Sequence, residues 1–468
     1  MASDAQTAET VAAAAPYLES WLEHQRLRAR VPGVQAAVRV GDRLVLDTAL
    51  GVADLDTGEP LTPRHLFRIA SHSKTFTATA VLQLVEAGRL RLDDPIASFV
   101  PALAGTGLAA VTVRELLGHQ GGVVRDGRDN DHWQLLRPFP DVDRLTGIAV
   151  DEGAVLGRNE HFKYSNIGYS LLGLAIEAVT GTGYGPHVQA AVVDRLGLTD
   201  TGPEWDPARA GEYAAGHTGL LDGDDVRQTV PHVDTRAMAA ATGFYSTARD
   251  LTVFGAAHVP GDTALLSEES KRLMRRTESE IRAHGQDPRH YGLGMDVRTV
   301  GDRRLVGHSG GYPGHITRTW IDPDAGVVVS VLTNAVDGPA DALARGVFAL
   351  LDLALAAPED AGRPAAADLQ RYTGRFANLW GVTDVALLGG RLVLLHPSGP
   401  EPAAEYAELT VAAEDVLRLE TVPGFGSPGE TVEYERGDDG TVSRVRIGGI
   451  SAWPLADFRA RRAAQVAR

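Results

Sequence analysis

Hydrophobic residues recur along this chain at two spacings, one typical of helices and the other typical of strands. Helical spacing predicts an amphipathic helix over residues 17–30 and a second helix directly after Lys74. Alternation of apolar and polar residues predicts two strands, 34–40 and 43–50, separated by a Gly-Asp turn. The chain is therefore expected to begin with a helix and a β-hairpin that lead into a second helix.

The middle of the chain is predicted to be mainly helical. Thr112 and Glu115 form the capping-box pattern that opens a short helix. Residues 123–145 are polar and aromatic, which indicates a long loop, and long loops in compact domains are usually functional or mobile. A further helix over 167–180 is expected to end at Gly181.

Strand patterns return in the second half of the chain. Residues 304–306, 316–321 and 327–332 are strand-like, and a closing helix is predicted over 339–355. Since strands stand at both ends of this region with helices between them, we predict an α+β domain. Its antiparallel sheet would be closed by the N- and C-terminal strands, with the helices packed beside it.

The C-terminal part differs in composition and in pattern. Residues 357–367 are rich in Ala, Pro, Glu and Asp, which is typical of a linker. Short strands divided by Gly- and Asp-rich turns then predict a small antiparallel barrel; they cover residues 372–376, 383–388, 391–395, 416–420, 431–434 and 443–447. The predicted division is a main domain (1–356), a linker (357–367), a barrel (368–457) and a tail (458–468).

Composition and charge narrow the possible functions. The net charge of −16 opposes binding to nucleic acid or to anionic membranes, since both need basic patches. The absence of cysteine excludes disulfides, thiolate catalysis and zinc-thiolate sites. The histidines lack metal-binding spacing, so no cofactor is expected. The N-terminus lacks the basic leader of a signal peptide, which predicts a cytoplasmic protein.

A serine and a lysine three positions apart carry the candidate chemistry. Ser71 and Lys74 would share one face of a helix, while Ser73 points about 100° per residue away from that line. A lysine accepts the proton of a serine only if burial or nearby positive charge lowers its pKa. The only other lysines, Lys163 and Lys271, follow no serine at that spacing. The pattern favours Ser71 as nucleophile, with a surface lysine near a helix start as the alternative.

Two further motifs follow in order, Tyr164-Ser165-Asn166 and His308-Ser309-Gly310. With Ser71-x-x-Lys74 they resemble the S-x-x-K, Y-x-N and K/H-x-G signatures of the serine β-lactamase and penicillin-binding-protein superfamily, in its class C-like branch. The resemblance covers residues 20–355 and implies a β-lactamase-like fold, to which a lipocalin-like barrel is added. The whole chain is similar to penicillin-binding-protein-type thioesterases, which release and cyclise nonribosomal peptides, and to D-specific aminopeptidases and esterases.

The resemblance implies a role for each motif residue. Ser71 forms the acyl-enzyme, Lys74 and Tyr164 share the general-base work, and Asn166 holds the substrate amide and the lysine. The backbone amides of Ser71 and Gly311 form the oxyanion hole, where one donor is typically worth about 3 kcal/mol. A cationic lysine beside Tyr164 would lower the pKa of its phenol, so that it could accept a proton near neutral pH. Asn166 fits the N-cap of the following helix equally well.

The third motif departs from the lysine of the β-lactamases, because it begins with His308. A mostly neutral imidazole holds a substrate carboxylate weakly, which disfavours β-lactams and D-Ala-D-Ala ends and favours esters, thioesters or amides. Gly310 is expected to contact the substrate. By analogy with the cyclases, Arg446 would bind a peptide carboxylate, although a solvated strand face explains Arg446 as well.

Two other patterns leave alternatives open. Residues 307–311 match the G-x-S-x-G nucleophile elbow, with Ser309 as nucleophile, but Pro313 and a predicted strand follow where a helix is required. Residues 118–122 replace the T-H-T-S-G segment that is usual in the family, and this puts the hydrogen bonds behind the site in doubt. His119 within that segment is expected to be structural.

The sequence therefore predicts a two-step acyl-transfer enzyme. A peptidyl thioester, ester or amide would acylate Ser71, and then the substrate's own amine or water would take the acyl group. The favoured interpretation is a stand-alone thioesterase that cyclises a peptide with a D-residue at the acylating end, with a carrier protein of a peptide synthetase as partner. A D-aminopeptidase, amidase or esterase is the alternative, a β-lactamase or DD-carboxypeptidase is less favoured, and a binding protein without turnover is the non-enzymatic interpretation.

Overall fold

The computed structural model describes residues 4–282, 289–356, 366–399, 401–420 and 426–466. Residues 30–344 form one compact unit, and residues 1–29 together with 345–468 form another. The predicted domain boundaries stay a prediction. Of the predicted linker, 357–365 lie outside the described residues, whereas 366 and 367 begin a short helix.

The helices predicted from the sequence are present, together with others, one of which begins inside the expected loop 123–145. They are α1 (Asp4–Ala29), α2 (Ser73–Glu86), α3 (Val113–Leu117), α4 (Val142–Glu152), α5 (Asn166–Thr180), α6 (Tyr184–Val188), α7 (Ala239–Thr242), α8 (Ala248–Ala256), α9 (Glu268–Arg275), α10 (Ala340–Leu355), α11 (Ala366–Leu369) and α12 (Leu455–Val466). The first helix begins well before the predicted residue 17 and continues through Pro16, although proline disfavours a helix interior. Val11, Ala14 and Leu18 are buried on one face of α1, and this packing outweighs the proline.

The unit formed by residues 30–344 is built on an antiparallel sheet. Its strands are β1 (Gly33–Val40), β2 (Arg43–Gly51), β3 (Phe67–Arg68), β4 (Gly216–His217), β5 (Thr229–Val230), β6 (Tyr245–Ser246), β7 (Ser279–Ile281), β8 (Arg289–Tyr291), β9 (Asp296–Val300), β10 (Arg303–Tyr312), β11 (His315–Asp322) and β12 (Val327–Thr333). The sheet order is β2-β1-β12-β11-β10-β9-β8-β7, and the pairs β3-β6 and β4-β5 stand apart. The N-terminal strand β1 pairs with the C-terminal strand β12, as predicted.

The core of this unit surrounds α2, which carries the candidate lysine. Phe76 of α2 stacks on Phe244 and Phe254, with ring centroids 4.3 and 3.8 Å away. Eleven of the fourteen residues of α2 are buried. A helix that is packed on nearly all sides holds its side chains in fixed positions, because a close-packed interior resists displacement. The Thr112 and Glu115 capping box at the start of α3 is formed as predicted.

The other unit contains a closed antiparallel barrel, which confirms the predicted barrel. Its strands are β13 (Gly374–Asn378), β14 (Gly381–Leu388), β15 (Arg391–Leu395), β16 (Tyr406–Ala413), β17 (Val416–Leu419), β18 (Thr431–Arg436), β19 (Val442–Ile447) and β20 (Ile450–Pro454). The sequence pattern missed β16 and β20. In β16 the last four residues are exposed, so apolar alternation fades along the strand. The predicted tail is helical as far as Val466.

The N-terminal helix belongs to the same unit as the barrel and is bonded to it. The Tyr17 hydroxyl donates to Asp384 on β14 at 3.1 Å, and Gln25 donates to the Gly399 carbonyl at 3.0 Å. Within the part of the chain that the structure describes, every helix is too short or too polar to cross a bilayer.

Candidate active site

Ser71 lies in a 3₁₀ turn, Ala70–His72, immediately before α2. The sequence analysis placed Ser71 in the first turn of the helix, whereas α2 begins at Ser73. The residue before Ser71, Ala70, has φ of +44°, a left-handed conformation that is strained for a residue with a Cβ. Ser73 stabilises this turn, since its hydroxyl donates to the Ala70 carbonyl at 2.6 Å and accepts from the Phe244 amide at 3.0 Å. Ser73 is therefore structural.

The Ser71 hydroxyl meets two of the predicted catalytic groups. The Tyr164 hydroxyl donates to Ser71 Oγ at 2.7 Å, and Lys74 Nζ lies 3.3 Å from the same oxygen. Two segments far apart in sequence, the Ser71–Lys74 segment and the loop that carries Tyr164, thus meet at one atom. The separation of three residues does bring Ser71 and Lys74 together, as their spacing indicates.

Lys74 is arranged to be a proton acceptor. Its side chain is fully buried, and burial lowers the pKa of its amine well below the ordinary value, opposed by Asp126 and assisted by Arg125. Nζ donates to Asn166 Oδ1 at 2.7 Å and to the Ala241 carbonyl at 2.8 Å. A neutral amine has two N–H groups and one lone pair. With both N–H groups bonded to carbonyl oxygens, the lone pair is left for the proton of Ser71.

Tyr164 corrects one expectation from the sequence. The phenol was predicted to have a lowered pKa beside a cationic lysine, but burial raises the pKa of Tyr164, against a smaller effect of its hydrogen bond to Ser71. Tyr164 therefore stays protonated and donates to Ser71 Oγ in the resting site, with the Lys74 amine 4.7 Å from its ring centroid.

Asn166 is the first residue of α5, and the helix N-cap is Ser165. The Ser165 hydroxyl accepts from the Gly168 amide at 2.8 Å, so the interpretation of Asn166 as the N-cap is wrong. The Asn166 side chain points instead into the site. It accepts from Lys74 through Oδ1 and donates from Nδ2 to Asp126 Oδ1 at 2.7 Å.

His308 is neutral, as the sequence analysis expected. Burial, followed by the nearby Lys74, lowers the pKa of His308 to about 3. Its Nδ1–H donates to the Ser309 carbonyl at 2.6 Å, which leaves Nε2 to accept from the Tyr291 hydroxyl at 2.9 Å. Both ring nitrogens are bonded to the protein, so His308 fixes Tyr291 in place behind the site.

The third motif lies in the middle of β10, at the close approach of this strand to the serine turn. A Cβ placed on Gly310 would lie 2.0 Å from the Ile69 carbonyl oxygen, so glycine alone fits there. In the described pairing, β9 covers only residues 303–307 of β10, and the edge of 308–312 is left beside the turn. Strand β10 continues through Ser309, whereas a nucleophile elbow needs a sharp turn from strand to helix at the serine. The interpretation of Ser309 as the nucleophile of such an elbow is therefore wrong.

Residues 118–122 support the loop that carries Tyr164. His119 has φ of +58°, and its ring lies 4.4 Å from the Tyr164 ring. Its Nδ1 accepts from the Ser165 amide at 3.2 Å, and its carbonyl accepts from the Lys163 amide at 2.8 Å. This segment therefore keeps hydrogen bonds behind the site even though its sequence departs from T-H-T-S-G.

Two residues of the site were missed by the sequence analysis. Asp126 lies in the predicted long loop, and Tyr291 lies in a stretch without a clear pattern. Their partners Asn166 and His308 are far away in sequence, so no local spacing pointed to them. Arg446 is on β19 of the barrel unit, 3.7 Å from Glu435, and its substrate contact stays a prediction. Among the described residues, no cluster of three acidic or histidine side chains is placed to hold a metal ion.

Comparison with known proteins identifies the family of this chain. Residues 17–354 match the sequence family described as Beta-lactamase. Penicillin-binding protein 4 of Amycolatopsis lactamdurans is 30% identical over 328 residues, which are 66% of this chain and 82% of that protein. The family predicted from the three motifs is thereby confirmed.

Solved structures extend the likeness. SurE is 26% identical with a TM-score of 0.59, and the match covers 94% of this chain and 99% of SurE. SurE has also been crystallised with D-Leu. The D-amino acid amidase of Ochrobactrum anthropi SV3, complexed with D-phenylalanine, is 27% identical with a TM-score of 0.59 over 68% of this chain and 92% of the amidase.

Proposed function

This chain is a serine hydrolase of the β-lactamase family, and we propose that it releases a peptide from a thioester and closes it head to tail. The observation that carries the acylation chemistry is the meeting of Tyr164, Lys74 and Ser71 at one oxygen atom. The acyl donor is a peptidyl thioester, ester or amide with a D-residue at the acylating end. A carrier protein of a peptide synthetase would present it, and the cytoplasm is the expected compartment.

Acylation begins with the transfer of the Ser71 proton to Lys74. Ser71 Oγ attacks the substrate carbonyl carbon, and the backbone amides of Ser71 and Gly311 bind the oxygen on which negative charge develops. The protonated Tyr164 donates its proton to the leaving thiol, alcohol or amine and regains one from the Lys74 ammonium. The C–S, C–O or C–N bond breaks, and an ester on Ser71 remains.

Deacylation uses the same groups in reverse. The free amine of the bound peptide attacks the ester carbonyl and forms an amide, while Ser71 recovers its proton. Water in place of the amine gives the linear acid. The choice between these products depends on whether the amine end of the peptide reaches Ser71 before water does.

Three observations support the substrate class. The neutral His308 lacks the permanent cation that a substrate carboxylate would require. SurE, which matches nearly the whole chain, was crystallised with D-Leu, and the amidase was complexed with D-phenylalanine. A D-residue at the acylating end is consistent with both.

The amidase likeness also favours a second candidate, a D-aminopeptidase, amidase or esterase that hydrolyses small substrates. Both candidates use the same acyl-enzyme, so only the second step separates them. A β-lactamase or a DD-carboxypeptidase is less favoured, because both act on substrates that carry a carboxylate.

The test is a matched pair of peptidyl thioesters that differ only in a D- or L-residue at the acylating end. The cyclic peptide from the D-substrate, detected by mass spectrometry, supports the proposal. Exclusive release of linear acid from both substrates assigns the chain to the hydrolases. Ser71→Ala is the control, and turnover by that variant would contradict the acyl-enzyme itself.

A further inference from the structure

The loop at 124–126 is bonded to the start of α5. The Val124 carbonyl accepts from the Ser165 hydroxyl at 2.6 Å, and the Arg125 carbonyl accepts from the Asn166 amide at 2.9 Å. These bonds bring the Asp126 carboxylate, which is only 3% exposed, to the Asn166 side chain. Burying a carboxylate lowers the stability of the folded chain unless the carboxylate is paired, and Asp126 is paired at the edge of the active site.

The Asp126 carboxylate determines which way the Asn166 amide faces. Asp126 Oδ1 can only accept a hydrogen bond, so the amide must present Nδ2 to it, at 2.7 Å. Oδ1 of Asn166 then faces Lys74 Nζ, also at 2.7 Å. A reversed amide would present N–H groups to the amine and would compete for the lone pair that accepts the Ser71 proton.

We propose that Asp126 is a positioning residue for acylation, which fixes the amide of Asn166 and stabilises the ammonium that forms on Lys74 when Ser71 gives up its proton. Asp126 touches neither the substrate nor the reacting atoms. It acts through Asn166, whose dipole and hydrogen bonds connect the carboxylate to the amine.

The charges around Lys74 support this role. The ionisable side chains near Lys74 come from the 118–122 segment, the 124–126 loop, the loop before α5, α5 itself and β10, and Tyr291 of β8 packs on one of them, His119. They are His119, Arg125, Asp126, Tyr164, Tyr169, His308 and Tyr291. Burial lowers the pKa of both histidines and raises the pKa of the three tyrosines, so all five are neutral near pH 7.

The remaining two charges oppose each other. Asp126 favours the lysine cation and Arg125 disfavours it. The Arg125 side chain is 63% exposed, and its Nε lies 3.3 Å from Asp126 Oδ2. Water screens an exposed charge more than a buried one, so the carboxylate dominates at Lys74.

The test is the pH dependence of the rate at which a fluorophosphonate labels Ser71. This rate depends on Lys74 as the base that activates Ser71, and it does not depend on whether an acyl group is later hydrolysed or cyclised. The proposal therefore rests only on the acylation step of the proposed function. The rate in the wild-type chain should rise with pH as Lys74 loses its proton. Asp126→Asn removes the charge but keeps an acceptor oxygen, and the rise should move to lower pH by about one unit.

Arg125→Gln is the matched variant with the opposite sign. It removes the cation that disfavours a charged Lys74, so the rise should move to higher pH, by less than the shift in Asp126→Asn because Arg125 is exposed. Asp126→Ala, which also releases the amide, should label about 100-fold more slowly at its optimum. Unfolding curves by circular dichroism show which variants are folded.

Opposite shifts in the two variants support the proposal. If the labelling rate rises at the same pH in wild type, Asp126→Asn and Arg125→Gln, the proposal is overturned. A carboxylate that merely stabilised the loop would change the maximum rate and not the pH at which the rate rises. Absence of labelling in the wild-type chain would overturn the role of Lys74 itself. Labelling without a cyclic product in the peptide assay would instead contradict only the proposed cyclisation.

Discussion

Replacing Gly310 by alanine should separate the strand β10 from the turn that carries Ser71. The added Cβ would lie 2.0 Å from the Ile69 carbonyl oxygen and 2.5 Å from the Thr317 hydroxyl. Since Cβ atoms do not approach other atoms closer than 3.0 Å, the two segments must move apart by about 1 Å. Gly310 is not in the left-handed region, so the effect is steric and not conformational.

The size of the effect follows from this displacement. Overpacking of a buried site lowers the free energy of unfolding by about 1–3 kcal/mol. A misplacement of about 1 Å between reacting groups lowers the rate about 100-fold. The proposed oxyanion hole takes one amide from the turn and one from the strand, so it should be the first part of the site to fail.

The matched control is Gly311→Ala at the next position. A Cβ there would meet only the Ile316 side chain, at an ordinary 3.5 Å, and the backbone N–H is kept. Its free energy of unfolding should stay within about 0.5 kcal/mol of wild type. Thermal melts measure the stability of the two variants, and the turnover of a D-phenylalanine ester measures their activity. A Gly310→Ala variant as stable and as active as Gly311→Ala would refute the close approach of the strand and the turn.

Three further predictions concern the same unit. Tyr164→Phe removes the donor to Ser71 Oγ and should lower kcat by about 100-fold or more without unfolding the chain, and steady-state kinetics with unchanged turnover would contradict the proton relay. Ser165→Ala removes the N-cap of α5 and its bond to the Val124 carbonyl, which should lower the free energy of unfolding by about 1–2 kcal/mol in denaturant titrations, and an unchanged midpoint would refute it. Burial lowers the pKa of several histidines in the folded chain, so the unfolded chain binds more protons below about pH 6.5, where unfolded histidines titrate. The free energy of unfolding should therefore fall as the pH drops from about 6.5 toward 4. A melting temperature that is constant over this range would contradict the prediction. Those histidines are His72, His119, His232, His258, His308 and His315.

Local patterns predicted the parts of the site that depend on neighbours in sequence. The spacing of Ser71 and Lys74 follows from one helical turn, and the Thr112 and Glu115 box needs only four consecutive residues. The pairing of β1 with β12 was also predicted, because a sheet with strands at both ends of a domain must bring them together.

Interactions between distant segments could not be predicted in this way. The raised pKa of Tyr164 depends on how deeply three segments are buried together, and the sequence gives no measure of that burial. Asp126 and Tyr291 are bonded to partners 40 and 17 residues away, without a repeating pattern between them. The helix through Pro16 is a third case, since tertiary packing outweighs the local preference of proline.

The central claim is that Ser71 becomes covalently acylated. The most direct test is intact mass spectrometry after rapid mixing with a thioester of an N-acylated D-phenylalanine, followed by peptide mapping. We predict a mass increase equal to the acyl group on the peptide that contains Ser71, and its loss in both Ser71→Ala and Lys74→Ala. An adduct on Ser309, or an acylated Ser71 in the Lys74→Ala chain at the wild-type rate, would contradict the mechanism.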